Sequence, residues 1–100
     1  EAIRVTKPYK LASREMHRDD TVIALPQATV GPKTFTVIAG PCSVENEPLV
    51  MRTAEFLAER GVTLMRAGAF KPRTSPYSFQ GMGEDGLKIL RDVGDKYDLP

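Results

Sequence analysis

The sequence has no tryptophan, one cysteine, one histidine and almost no excess of charge. Each shortage removes a class of function. A single cysteine excludes an internal disulfide and fits a reducing compartment. His17 stands in a polar stretch, so no metal site with two histidines can be built from this chain alone. Fourteen basic side chains against thirteen acidic ones leave a formal net charge of +1. The two signs are interspersed, which argues against bulk nucleic-acid binding or attachment to a membrane surface. No apolar run approaches the ~20 residues of a membrane span, and no secretory leader pattern opens the chain. The expected location is the cytoplasm.

What is present suffices for one small domain or part of a larger one: one hundred residues, 41% of them hydrophobic. Residue 1 is Glu rather than Met, and Pro100 follows Tyr97-Asp98-Leu99, where a new apolar strand is expected to start. Both ends read as cuts in a longer polypeptide.

Residues 1–20 are mixed and charged and read as an extended arm, with a short strand at Ile3–Thr6. Residues 21–33 read as a hairpin: Thr21–Leu25 pairs with Ala28-Thr29-Val30 across Pro26-Gln27, and Gly31-Pro32-Lys33 ends it. Residues 34–100 then alternate strand and helix. Thr34–Ala39 is a short β-branched run of the kind buried on both faces in a parallel sheet. After the loop Gly40–Glu47, Pro48 suits a first helical turn. Val50, Ala54, Leu57 and Ala58 recur at helical spacing, Leu49 and Phe56 widen the apolar side, and Gly61 sits where a helix-ending glycine belongs. Val62–Met65 is the next strand. A second helix is expected from about Glu84 to Tyr97, with Leu87, Leu90, Val93 and Tyr97 on one side and Gly86 and Gly94 weakening it. Strand, helix and strand with a short return form a βαβ unit, hence a parallel sheet with a right-handed crossover. The fold class is α/β.

In such a sheet the loops after successive strands emerge at one edge, where α/β proteins place ligands. Gly40-Pro41-Cys42-Ser43-Val44-Glu45 and the run Arg66–Pro76 should therefore face one cleft. The second run packs three cations, two hydroxyls and two prolines into eleven residues. Cations and hydroxyls on a stiff loop suit a ligand carrying phosphate or carboxylate groups; an ordinary basic turn is the plainer reading. Cys42 is either a small buried apolar residue or a thiolate favoured by nearby cations, the form that binds metal. Arg66, placed inside the strand end, needs an anionic partner. That partner is either a ligand or a carboxylate on an adjacent strand. Ser75, Ser78 and Gln80 read equally well as plain loop polars. Gly81-Met82-Gly83 lacks nucleotide-binding spacing.

Taken together, Ile38-Ala39-Gly40-Pro41-Cys42-Ser43-Val44-Glu45 and Arg66-Ala67-Gly68-Ala69-Phe70-Lys71-Pro72-Arg73-Thr74-Ser75-Pro76 resemble the first two barrel loops of the 3-deoxy-D-arabino-heptulosonate 7-phosphate (DAHP) synthase family. The likeness continues through Tyr77-Ser78-Phe79-Gln80-Gly81 and covers roughly residues 35–100. Residues 7–15 also resemble the connector and bottom hairpin of family members with a ferredoxin-like regulatory domain. The related 3-deoxy-D-manno-octulosonate 8-phosphate (KDO8P) synthases usually carry Lys-Ala-Asn-Arg-Ser where this chain has Lys71-Pro72-Arg73-Thr74-Ser75. That spelling points to erythrose 4-phosphate rather than arabinose 5-phosphate as acceptor.

The resemblance implies a (β/α)8 TIM barrel, here present in part as the hairpin and the first two β/α units. It implies condensation of phosphoenolpyruvate with erythrose 4-phosphate, the first step of the shikimate pathway to aromatic amino acids. Cys42 would be one ligand of a divalent metal such as manganese, iron or cobalt. Arg66 and Lys71 would hold phosphoenolpyruvate, and Pro72, Arg73, Thr74 and Ser75 would seat erythrose 4-phosphate. Lys71 would also be the catalytic proton donor to the aldehyde oxygen. The family's other metal ligands, a His, a Glu and an Asp, come from later strands, and members are typically tetramers. A full barrel needs about 250 residues, so this stretch alone is expected neither to fold stably nor to catalyse. The alternatives are a non-catalytic barrel piece that needs a complementary chain, and a KDO8P synthase, which Pro72 and Thr74 disfavour.

Overall fold

The computed structural model describes residue 4 and residues 8–100; the strand expected at Ile3–Thr6 lies, but for Arg4, outside the described residues. The elements run β1 (Ile23–Ala24), β2 (Thr29–Val30), β3 (Ile38–Ala39), α1 (Glu47–Glu59), β4 (Leu64–Met65) and α2 (Gly83–Tyr97). β1 and β2 pair antiparallel, Ile23 opposite Val30 and Ala24 opposite Thr29. The Leu25 N–H donates to the Ala28 carbonyl at 2.8 Å and closes the turn through Pro26 and Gln27. The hairpin stands as the proline-bearing turn and flanking β-formers predict.

β3 and β4 pair in parallel, Ile38 beside Leu64 and Ala39 beside Met65. Successive N–H groups of an extended chain point to opposite edges. The Arg66 N–H accordingly reaches the Ala39 carbonyl (2.9 Å), while the Met65 N–H reaches the Pro100 carbonyl on the other side (3.2 Å). β4 is therefore flanked on both edges. The βαβ order is as expected, but the first strand is shorter. Of Thr34–Ala39 only the last two residues pair, and Phe35 (95% exposed) and Ile38 (53% exposed) are not buried on either face. Burial of such a run depends on what lies opposite it, and among the described residues β3 has only β4 beside it. Residues 34–36 instead tie to the hairpin through side chains: Thr34 exchanges hydrogen bonds with Gly31, and the Thr36 hydroxyl donates to the Thr29 carbonyl at 3.0 Å.

α1 starts where Asn46 accepts the Leu49 N–H on its side-chain oxygen (2.9 Å), with Pro48 in the first turn. Val50, Ala54 and Leu57 face inward and are buried. Phe56 is not part of that face. At 100° per residue it lies about 100° round from Leu57, half exposed, with the Arg60 guanidinium 3.5 Å above its ring. α2 begins one residue earlier than expected and ends at Tyr97, capped by Asp98 in the left-handed conformation. Leu87 is half exposed, whereas Gly86 and Gly94 are buried. These glycines are contact points. A Cβ on Gly94 would lie 2.8 Å from the Leu99 carbonyl oxygen, and one on Gly86 would lie 3.1 Å from the Ala69 methyl. The core cluster is Val44, Val50, Ala54, Val93 and Leu99, where α1 and α2 meet the loop after β3 and the run after α2. No helix among the described residues is long and apolar enough to cross a membrane.

Candidate functional site

The loops after β3 and β4 leave the same edge of the strand pair. The first is held by continued pairing. Past the strands, Ser43 bridges Gly68 in parallel, the Val44 N–H donates to the Gly68 carbonyl (3.0 Å) and the Gly68 N–H to the Cys42 carbonyl (3.3 Å). Gly40 permits the approach: its φ is +149°, and a Cβ there would sit 2.0 Å from the Arg66 carbonyl oxygen. With Gly40 and Gly68 both in close contact, Cys42 is carried directly across from Lys71.

The second loop is held mainly by itself. The Lys71 N–H donates to the Gln80 carbonyl (2.7 Å), and the Gly83 N–H to the Ala69 carbonyl (2.8 Å), forming a stem. Gly81, with φ +97°, sits so close that a Cβ would lie 2.1 Å from the Ala69 oxygen. Within the loop, the Arg73 Nε donates to the Phe79 carbonyl (3.4 Å) and the Tyr77 N–H to the Ser75 hydroxyl (3.3 Å). The Ser75 carbonyl accepts from both the Ser78 N–H and the Gln80 side-chain amide, each at 3.2 Å.

Three cations converge on one thiol. The Lys71 Nζ donates to the Cys42 Sγ at 3.2 Å. That hydrogen bond and the ammonium charge hold the Cys42 thiol below the ordinary thiol range against the opposing effect of desolvation, with lesser help from Arg66 and Arg73. Cys42 is exposed rather than a buried apolar residue. Arg66 also departs from expectation. It lies just past β4, is exposed, and donates to the Pro41 carbonyl at 3.2 Å rather than sitting buried in the strand. Among the described residues neither Arg66, Lys71 nor Arg73 pairs with a carboxylate. Arg66 and Arg73 are exposed and Lys71 is half-buried, so three positive charges gather at one edge. Pro72 and Thr74 are exposed on the same loop, and Ser75 is half-buried with its hydroxyl turned to Tyr77.

As for metal, Cys42 fits the role of a single ligand, because the cations favour the thiolate that coordinates metal. No group of three His, Cys, Asp or Glu side chains comes together among the described residues. The structure also draws in Gln80, which the sequence offers as a loop polar and within the family-like stretch Tyr77–Gly81, with nothing to mark its contacts.

An α/β segment with a cysteine and three cations on a pair of loops at the C-terminal edge of parallel strands is the class of molecule this geometry defines. Residues 18–100 match the family model described as the DAHP synthetase I family, and the chain belongs to that family. It is 60% identical over 97 residues to the phospho-2-dehydro-3-deoxyheptonate aldolase of Thermotoga maritima, an alignment covering 97% of this chain and 29% of that protein. The 2-dehydro-3-deoxyphosphooctonate aldolase of Syntrophobacter fumaroxidans is 40% identical over 79 residues, 72% of this chain and 27% of that protein. The crystal structure of the Thermotoga maritima DAHP synthase superposes with a TM-score of 0.76 at 59% identity, covering 97% of this chain and 28% of that one. The chain thus spans less than a third of the length of these relatives.

Proposed function

We propose that this chain forms the hairpin and the first two β/α units of a (β/α)8 barrel whose activity is DAHP synthesis. The observation that carries the reading is the convergence of Lys71, Arg66 and Arg73 on Cys42, in a segment 60% identical to a phospho-2-dehydro-3-deoxyheptonate aldolase. The barrel reading is supported by β4, which has β3 on one edge and the Pro100 carbonyl on the other. It also fits the contact between the Gln27 amide and the Asp98 carboxylate, which joins the hairpin turn to the end of α2 opposite the site. The arm (1–20), the hairpin (21–33) and the β/α units (34–100) are its three parts.

In this reading Arg66 and Lys71 neutralise the anionic groups of phosphoenolpyruvate, and Arg73, Thr74 and Ser75 receive the phosphate of erythrose 4-phosphate over the rigid Pro72. Carbon 3 of phosphoenolpyruvate attacks the aldehyde, water adds at carbon 2, and phosphate leaves by carbon–oxygen cleavage. Lys71 gives a proton to the aldehyde oxygen as that oxygen gains charge. Cys42 would help hold a divalent ion such as manganese, iron or cobalt together with ligands from later strands; when bound, such an ion supplies Lewis-acid polarisation of the aldehyde. A cytoplasmic homo-tetramer is the assembly this reading carries.

The test is phosphate release by the full-length protein from phosphoenolpyruvate with manganese and either sugar phosphate. Release with erythrose 4-phosphate and not with arabinose 5-phosphate is expected. The opposite preference would move the chain to the KDO8P synthases, and release with neither would remove both.

A further inference from the structure

Among the described residues, Gln80 bonds to both ends of the run Lys71–Ser75. Its backbone carbonyl fixes the Lys71 N–H at 2.7 Å, and its side-chain amide donates to the Ser75 carbonyl at 3.2 Å. The two bonds do different jobs. The first is made by the main chain and survives any side chain at position 80. The second is a side-chain bond from the stem to Ser75, where the Ser78 N–H occupies the carbonyl's other lone pair; the Arg73 bond to the Phe79 carbonyl crosses the loop beside it and leaves Ser75 untouched. Gln80 itself is exposed, so its amide is not needed to satisfy a buried group.

We infer that Gln80 is a positioning residue: its side-chain amide braces the Ser75 carbonyl and so keeps Arg73, Thr74 and Ser75 in the shape that receives the acceptor's phosphate, while leaving Lys71 to the main chain. The inference rests on the acceptor assignment proposed above. It predicts a split between the two substrates. Loss of the brace loosens the acceptor end of the loop but not the Lys71 end, because the stem bonds at Lys71 and Gly83 remain. A loop ordered only on binding charges its ordering cost to that one substrate.

The experiment compares the wild-type full-length protein with Gln80→Met, which keeps the length of the side chain and removes the donor, and with the shorter Gln80→Leu. In both variants the KM for erythrose 4-phosphate is expected to rise about 3- to 10-fold, the range of one lost neutral hydrogen bond. The KM for phosphoenolpyruvate and kcat should stay within about twofold. Amide exchange of the unliganded protein, followed by mass spectrometry over residues 74–79, should quicken by a similar factor, since the Tyr77 and Ser78 amides are held by Ser75. Unchanged constants for both substrates overturn the inference, as does a parallel rise in both KM values, which a general structural role would give. Should the wild type fail to use either sugar phosphate, the functional reading falls; exchange then decides the brace by itself, faster exchange upholding it and unchanged exchange overturning it.

Discussion

The two loops that make the site are built on opposite principles. The loop after β3 is short and rigid because it never leaves the sheet: its residues keep pairing with the chain after β4 as far as Val44, and the close approach of Gly40 to Arg66 locks the register. The loop after β4 leaves the sheet at once and holds itself, through a stem at Lys71 and Gln80 and cross-bonds at Arg73 and Ser75. One loop therefore presents Cys42 as a fixed point, and the other presents cations on a frame that can yield locally.

The largest effect should come from cutting the link between the loops. Lys71→Met in the full-length protein is expected to lower turnover about 10²- to 10⁴-fold, the usual worth of a general acid; full turnover would remove Lys71 as proton donor. The same variant sharpens the electrostatics. Lys71 holds the Cys42 thiol below its ordinary range, so its loss should move the thiol back up. In metal-free protein, alkylation of Cys42 should then need a higher pH, and at neutral pH it should slow. An unshifted alkylation profile would show that Arg66 and Arg73 suffice. The depressed thiol favours the native state above the unfolded thiol's pKa, an advantage lost as pH falls through the folded value. Because Cys42 is exposed, alkylation rather than stability is the readout.

Next comes the wall itself. Gly40→Ala places a Cβ 2.0 Å from the Arg66 oxygen, which the paired backbone can relieve only by parting. A loss of about 3 kcal/mol is expected in denaturant unfolding, with both loops disturbed. Gly81→Ala meets the Ala69 oxygen at 2.1 Å, yet it strains only the stem of the self-held loop. We expect about 1–2 kcal/mol and an acceptor KM raised more than that of phosphoenolpyruvate. Equal losses at the two glycines would erase the distinction between the loops.

Much of this was legible in the residues, and what was not has physical reasons. The helix over Glu47–Glu59, the hairpin turn at Pro26-Gln27 and the parallel pairing of the two strands follow from local periodicity and turn chemistry. The loops and the family resemblance could be read because each motif, Ile38–Glu45 with Cys42 and the run Arg66–Pro76, is an unbroken stretch of sequence. Burial could not be read in the same way. The run Thr34–Ala39 reads as a core strand, but Phe35 and Ile38 are exposed, because among the described residues only β4 lies beside the strand. Arg66 reads as buried because strand ends usually are, whereas one turn of the backbone past Met65 carries it out to the Pro41 carbonyl. Gly86 and Gly94 read as weak points because propensity counts the backbone's freedom and cannot see Ala69 or Leu99 pressed against them. Gln80 was the least legible, since its role depends on a loop folding back on itself.

β3 has one partner among the described residues, and Ile38 stands half open beside it. Such an edge is an invitation with no name on it: unpaired N–H and C=O groups along a sheet edge are a template for whichever extended chain arrives first. If the proper partner lies far along a longer polypeptide, the chain must close a large loop before the edge is covered, which is the slow kind of folding step. During that interval the competitor is another molecule's edge, so the yield of properly folded protein should depend on how dilute it is while it folds.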